Sequence, residues 1–243
     1  MLLNCDLGES YGAWKMGLDS HVMPHIDLAN IACGFHAGDP TVMANTLALA
    51  KAHHVGIGAH PGYPDLQGFG RRSITLSNTE LRNTLHYQIA ALEGMARVQG
   101  MTLSYVKPHG ALYNDMMRDE ATLLQVIQTL SEYPAKLKLM LLATAEQAHH
   151  TRLAEQFGVE LLFEAFADRL YTDQGQLSPR TLPNAVHDEA NVLAQVKQLL
   201  AHGTVTTASG QTLPLKADTL CVHGDNMDSI NQIVTIRKLL QTQ

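Results

Sequence analysis

The chain has 243 residues, 45% apolar and 16% charged, with a formal net charge of −6. That length suits one large α/β domain or two small ones, and the charge gives no draw toward nucleic acid or an anionic membrane. With 5% aromatics the chain is too poor in stacking groups for a single-strand platform.

Three cysteines, Cys5, Cys33 and Cys221, are too few for a disulfide framework and point to a reducing cytoplasm. Cys33 and Cys221 read as small buried residues rather than nucleophiles. No signal peptide is expected, and no apolar run approaches the ~20 residues of a membrane span.

Taken in order, short apolar runs bounded by glycine and polar residues predict seven strands, at 2–6, 28–33, 55–59, 103–107, 137–143, 161–166 and 219–223. Longer periodic stretches between them predict helices. Asp39 before Pro40 is an N-cap with proline in the first turn. Ser77-Asn-Thr-Glu80 is a capping box opening a helix that carries Leu81, Leu85, Ile89 and Leu92 on one face and stops at Gly100. Thr144-Ala-Glu-Gln147 predicts a second such box, with Gly158 as the stop. Residues 188–202 read as a helix closed by Gly203, and 227–240 as the last one. Two excursions break the alternation, at 170–177 and 204–215, the second a hairpin turning at Ser209-Gly210.

Strict βα alternation without linker or repeat predicts an α/β fold, a parallel sheet covered on both faces, within a single domain over 1–243. Periodicity does not distinguish an open sheet from a barrel. The strand ends favour the barrel, because five carry chemistry and only a barrel gathers all C-terminal ends at one mouth. They are "NCDLGES" at 4–10, "NIACGFHAGD" at 30–39, "GIGAHPGYPD" at 56–65, "KPHGALYN" at 107–114 and "CVHGDN" at 221–226.

Residues two apart on an extended strand share a face, which pairs Asn4 with Asp6, Lys107 with His109, and His223 with Asp225. One polar strand-end residue is ordinarily a hydrogen-bonded cap. Five ends bearing Asp6, His36, His60, His109 and His223 are not so easily explained. The helix histidines (His53, His54, His86, His149, His150 and His202) read as surface or boundary residues.

Asp6, His60, Lys107, His109, His223 and Asp225 are therefore the catalytic candidates. Asp6 could serve as general base or metal ligand, the histidines in proton transfer or ligation, and Lys107 as a charge stabiliser or base. Asn4, Glu9, Arg71, Arg72 and Asn114 are the candidates for holding substrate, the arginines because a guanidinium clamps oxyanions. A solvated surface pair is the plain alternative for the arginines. Loop 224–226 precedes a helix whose first amides could bind an anion. No HExxH or CxxC spacing specifies zinc. The glycines of 56–62 have the wrong spacing for a dinucleotide fingerprint, and no GxxxxGK[ST] is present.

Together "NCDLGES", "NIACGFHAGD", "GIGAHPGYPDLQGFGRR", "VKPHGALYN", "FEAFADRLYTDQGQL" and "CVHGDN" resemble the LamB/YcsF family along the whole chain. The resemblance implies a seven-stranded distorted β/α barrel of the glycoside hydrolase and deacetylase type. It implies ATP-dependent hydrolysis of 5-oxo-L-proline to L-glutamate, with ATP cleaved to ADP and phosphate, in a complex with two further subunits, B and C. The likeness to deacetylase barrels also suggests a divalent metal at Asp6, His36 and His60. Two rival readings are a stand-alone metal-dependent amidohydrolase or deacetylase, and a non-catalytic substrate-binding subunit.

Overall fold

The computed structural model describes residues 1–224 and 226–241. All seven expected strands form: β1 (Leu2–Leu7), β2 (Leu28–Ala32), β3 (Gly56–His60), β4 (Leu103–Val106), β5 (Lys138–Leu142), β6 (Leu161–Phe166) and β9 (Thr219–Val222). They run parallel around a closed barrel, and β9 completes it by pairing with both β6 and β1. The sheet is thus a barrel rather than open, as the chemistry at its strand ends predicts. β7 (Thr204–Thr206) and β8 (Thr212–Pro214) form the separate antiparallel hairpin expected from the excursion. The excursion at 170–177 closes on a Tyr171–Leu177 bridge.

Eight helices are described: α1 (Asp19–Val22), α2 (Pro40–Ala52), α3 (Asn78–Val98), α4 (Gly110–Arg118), α5 (Glu120–Glu132), α6 (Gln147–Glu155), α7 (Glu189–His202) and α8 (Met227–Gln241). Asp39 accepts from the Thr41 and Val42 amides to start α2, and the Ser77–Glu80 box starts α3. Leu85, Ile89 and Leu92 of α3 are fully buried against the sheet. Gly203 ends α7 in the left-handed conformation.

Three readings need correction. Thr144 does not cap a helix: its hydroxyl accepts from the Glu146 amide at 3.1 Å, and α6 begins at Gln147 without a side-chain cap. The link between β4 and β5 holds α4 and α5, the latter capped by Asp119 through the Thr122 amide, although no helix is expected there from the sequence. His150 is buried on α6 rather than lying at the surface.

A barrel of this kind is ordinarily filled by branched apolar side chains. Here part of the interior is polar. Asp6, Asn30, Gly58 and Tyr105 stand in register across β1 to β4, so their side-chain positions share one face. The Tyr105 ring occupies the space over Gly58, where a Cβ would lie 2.1 Å from the ring. Its hydroxyl donates to Asn30 Oδ1 at 2.7 Å, and Asn30 Nδ2 donates to Asn4 Oδ1 at 2.8 Å and Asp6 Oδ1 at 2.7 Å. Asn4 in turn donates to Thr219 Oγ1 at 3.0 Å and Glu164 Oε2 at 3.3 Å.

Into this network projects Lys107, just past β4. Its Nζ lies 3.0 Å from Asp6 Oδ1 and 3.0 Å from Glu164 Oε2, with Asn4 Oδ1 at 3.3 Å and Cys221 Sγ at 3.4 Å. Glu164 is fully buried, so removing the ammonium strands a charge where water cannot reach it. Lys107→Met is expected to destabilise the chain by about 3–5 kcal/mol in urea unfolding. Adding Glu164→Gln, which removes the stranded charge, is expected to recover part of that loss. A double variant less stable than Lys107→Met would contradict the ion-pair account.

Candidate active site

The C-terminal ends of the strands meet at one mouth. β1 delivers Asn4 and Asp6 and leads to Glu9. The loop after β2 carries His36, β3 ends in His60, the turn after β4 holds Lys107 and His109, and His223 follows β9. The candidates Asp6, His60, Lys107 and His109 are linked in a chain of contacts: Lys107 to Asp6, Asp6 Oδ2 to His60 Nε2 at 3.3 Å, and His60 Nε2 to His109 Nδ1 at 3.0 Å. Glu9 Oε1 lies 3.3 Å from His36 Nε2 and 3.6 Å from His109 Nδ1.

Backbone carbonyls fix two of the imidazoles. His60 Nδ1 lies 2.7 Å from the Lys107 carbonyl, and His109 Nε2 lies 2.9 Å from the Phe69 carbonyl. A carbonyl only accepts, so each of these nitrogens carries a proton and donates. The loop after β3 is shaped for this contact. Phe69 adopts a positive φ of 54°, and at Gly70 (φ 63°) a Cβ would stand 2.7 Å from both the His109 ring and His36. Glycine is therefore required at 70 for the loop to close over the two rings.

Charge is distributed unevenly over the cluster. Burial pushes the Asp6 carboxyl up, but His60 and Lys107 beside it hold it well below the usual range. Burial opposes the Lys107 ammonium, yet Asp6, Cys221 and Glu164 raise its pKa well above that of a free lysine. Glu9 is raised, chiefly by burial. His36 is lowered well below an ordinary histidine by burial and by His60, and His109 by burial and by His36.

Asp168, which follows β6, is a functional candidate that the sequence did not single out. Its Oδ2 accepts from His223 Nδ1 at 2.8 Å. Burial works against the Asp168 carboxylate, but His223 draws its pKa down to about 2; burial also works against a charged His223, but Asp168 raises it above the ordinary histidine value. Atoms of His223, Asp6 and Cys221 lie within 4.8 Å of one another. Glu164 was also missed. The available signal was an acid inside the apolar run "LLFEAF".

The remaining candidates are not drawn into the cluster. Arg72 is held by Asp65 in a close ion pair, so its guanidinium is already engaged. Arg71 is exposed, with its guanidinium 5.0 Å from the centre of the Phe69 ring. Asn114 is exposed on α4, and Asp225 lies outside the described residues. Ligand atoms of Glu9, His36, His60 and His109 fall within 4.8 Å of one another, whereas Asp6 falls in a different set, with Cys221 and His223. Cys5, Cys33 and Cys221 are free and buried, and no described helix is long and apolar enough to cross a membrane.

Two cavities bear on where a ligand could enter. One of about 470 Å³ lies away from the cluster, between Tyr63, Leu81, Asp115 and Thr122. One of about 20 Å³ is lined by Asp6, Glu9, Met16, Asp19 and Gly224 at the mouth. The chemistry selects the smaller one, because only its lining includes Asp6 and Glu9 of the cluster.

The family model described as the LamB/YcsF family matches residues 1–243. A Vibrio campbellii protein, named as the A subunit of 5-oxoprolinase, is 55% identical over 243 residues, covering 100% of this chain and 96% of that protein. A Pseudomonas fluorescens protein of the same name is 54% identical over 244 residues, covering 100% and 98%. The solved structure of a lactam utilization protein from Thermus thermophilus superposes with a TM-score of 0.90 at 36% identity, covering 100% of this chain and 96% of that one.

The Asp168–His223 pair has a pH signature. A raised His223 contributes stability that is complete below its unfolded pKa of about 6.5 and is lost as pH rises through its folded value. A depressed Asp168 contributes stability present above its unfolded pKa of about 3.9, lost as pH falls toward its folded value. Asp6 and Arg180 are further charges acting on His223. The difference in Tm between the native chain and Asp168→Asn should be widest between about pH 4 and 6.5 and should narrow toward pH 9. Thermal melts across that range check it, and a difference constant from pH 5 to 9 would contradict the pairing.

Proposed function

This chain belongs to the LamB/YcsF family, and we propose that it is the subunit of an ATP-dependent 5-oxoprolinase that opens 5-oxo-L-proline to L-glutamate. The reaction is hydrolysis of a cyclic amide C–N bond, with ATP cleaved to ADP and phosphate in a cytoplasmic complex with subunits B and C. The substrate comes from the names of the relatives. The observation that carries the hydrolytic role is the Asp168–His223 pair beside Asp6 at the barrel mouth.

A five-membered lactam is a poor electrophile. Opening it requires water to add at the carbonyl carbon and a proton to reach the departing ring nitrogen. With Nδ1–H held by Asp168, His223 keeps its Nε2 lone pair for the proton of the attacking water. The same nitrogen then returns that proton to the ring nitrogen, while Asp168 steadies the imidazolium between the two transfers. Asp6, kept ionised by its neighbours, is the second carboxylate at this point and orients the water.

For Lys107, expected from the sequence as a charge stabiliser or base, its contacts support another part. Its three N–H groups have Asp6, Glu164 and Asn4 as acceptors. We assign it to positioning Asp6 rather than to touching the lactam. Arg71, exposed beside the cluster, is the cation assigned to the substrate carboxylate.

The residues do not fit a nucleotide triphosphate. Asp6, Glu9, Glu164 and Asp168 line or underlie the mouth, and the one lysine among them is already paired. The sequence also offers no phosphate-cradling glycine loop. Activation of the lactam by ATP therefore falls to the partner subunits, and no step above runs through the nucleotide.

The test is an ATP-dependent 5-oxoproline assay of this chain, of subunits B and C, and of the mixture. Glutamate is expected from the mixture alone. In the mixture, His223→Gln should lower kcat by about 10²–10⁴-fold while the chain remains folded by circular dichroism at the assay temperature. Comparable ATP-dependent turnover by the isolated chain would reject the division of labour. Turnover without ATP, abolished by chelation, would favour the metal-dependent amidohydrolase instead.

A further inference from the structure

Two buried imidazole nitrogens face each other across 3.0 Å, His60 Nε2 and His109 Nδ1. On each ring the other nitrogen already carries its proton, donated to the carbonyl of Lys107 or Phe69. In their neutral forms, the rings therefore present two lone pairs to one another. That arrangement is repulsive unless a cation lies between them, and the candidates are a proton and a metal ion. The wider geometry favours the metal.

We propose that His60 Nε2, His109 Nδ1 and Glu9 Oε1 form a binding site for one divalent first-row transition ion of the zinc type. Two imidazoles and one carboxylate are a known donor set for such ions, with positions left open for water or substrate. Ligands at about 2.0–2.2 Å from one ion stand roughly 3.0–3.5 Å apart at tetrahedral or octahedral angles. The His60–His109 edge is 3.0 Å and the Glu9–His109 edge 3.6 Å; the Glu9–His60 edge is longer, within 4.8 Å, and closes as the ion binds. Ligating histidines characteristically hand their other N–H to a carbonyl or carboxylate, which fixes the ring and its tautomer. Both rings here do so.

His36 belongs to the support rather than to the ligand set. Its ring lies parallel to that of His109, 3.7 Å away and tilted by 4°. In-plane lone pairs on parallel rings do not converge on one point, so His36 and His109 cannot both bind the same ion well. His36 Nε2 instead lies 3.3 Å from Glu9 Oε1 and orients that carboxylate. The set at Asp6, Cys221 and His223 is a poorer candidate. The Lys107 ammonium stands 3.0 Å from Asp6 and 3.4 Å from Cys221, and His223 is tied to Asp168. Asp6, assigned to the metal from sequence together with His36 and His60, therefore serves Lys107 first.

Zinc binding at these residues does not depend on the lactam substrate, and its test does not use activity. Zinc is titrated calorimetrically into the chelator-treated chain. One equivalent should bind, with affinity lowered at least about 100-fold by His109→Ala and about 10-fold or more by Glu9→Gln. His36→Gln should weaken binding by about 10–100-fold, the usual cost of losing a supporting hydrogen bond. His149→Ala, on the exposed face of α6, should bind as the native chain does. On the native chain itself, ¹⁵N spectra should show zinc shifting one Nε2 and one Nδ1 among the buried histidines, which guards against variants that fail to fold. Failure of the native chain to bind zinc would mean that only a proton fills the gap. That result, or affinity untouched by His109→Ala and Glu9→Gln, would overturn the site.

Discussion

The ammonium of Lys107 is the charge on which the barrel interior depends. Two carboxylates, Asp6 and Glu164, converge on it at 3.0 Å each, from strands on opposite sides of β9. Taking such groups out of water costs several kcal/mol per ion, and only close contacts with further hydrogen bonds offset it. Asn4, Asn30, Thr219 and Tyr105 supply those bonds, which explains why a barrel core admits so many polar side chains. Gly58 follows from the same demand, since the Tyr105 ring needs the space that a side chain there would fill. A buried salt bridge is weak evidence for stability, because well-packed apolar groups often serve as well. Its retention here is better explained by what it does to Asp6, which it holds ionised at the mouth.

Outside that network the chemistry is arranged by hydrogen bonds to groups that only accept. The carbonyls of Lys107 and Phe69 set the tautomers of His60 and His109, and the Asp168 carboxylate sets that of His223. Each bond leaves the opposite ring nitrogen directed away from its acceptor. The left-handed backbone at Phe69 and Gly70 brings the Phe69 carbonyl to His109. Thus the "GFGRR" segment acts mainly through its backbone, while Arg72 fastens the same loop to Asp65. One loop supplies both the fixed imidazole and the exposed Arg71 beside it.

Much of the fold was legible because parallel barrel strands are buried on both faces and read as short apolar runs. The caps at Asp39 and Ser77 were legible for a local reason: their partners lie two or three residues away. Thr144 carried the same pattern without the result, since its hydroxyl turned to the nearer Glu146 amide. Asp6, His60, Lys107 and His109 could be foreseen as neighbours because side chains alternate along a strand and barrel ends converge. Glu164 and Asp168 could not be assigned so readily. Their roles come from partners 55 or more residues away, Lys107 and His223, and sequence spacing does not encode such pairings. The arginines part company for the same reason: a paired "RR" suggests a clamp, but Asp65, seven residues away, engages Arg72 and leaves Arg71 exposed.

The central claim is that Asp168 and His223 act as one proton-transfer unit in opening the lactam. The most direct test is a double-mutant cycle of Asp168→Asn and His223→Gln, measured as kcat of the fully assembled enzyme at saturating 5-oxoproline and ATP. Groups that work as a unit lose their joint contribution when the essential member is removed. The double variant is therefore expected to turn over no more slowly than His223→Gln alone. Losses that multiply, so that Asp168→Asn still slows an enzyme already lacking His223, would show two independent contributions and contradict the claim.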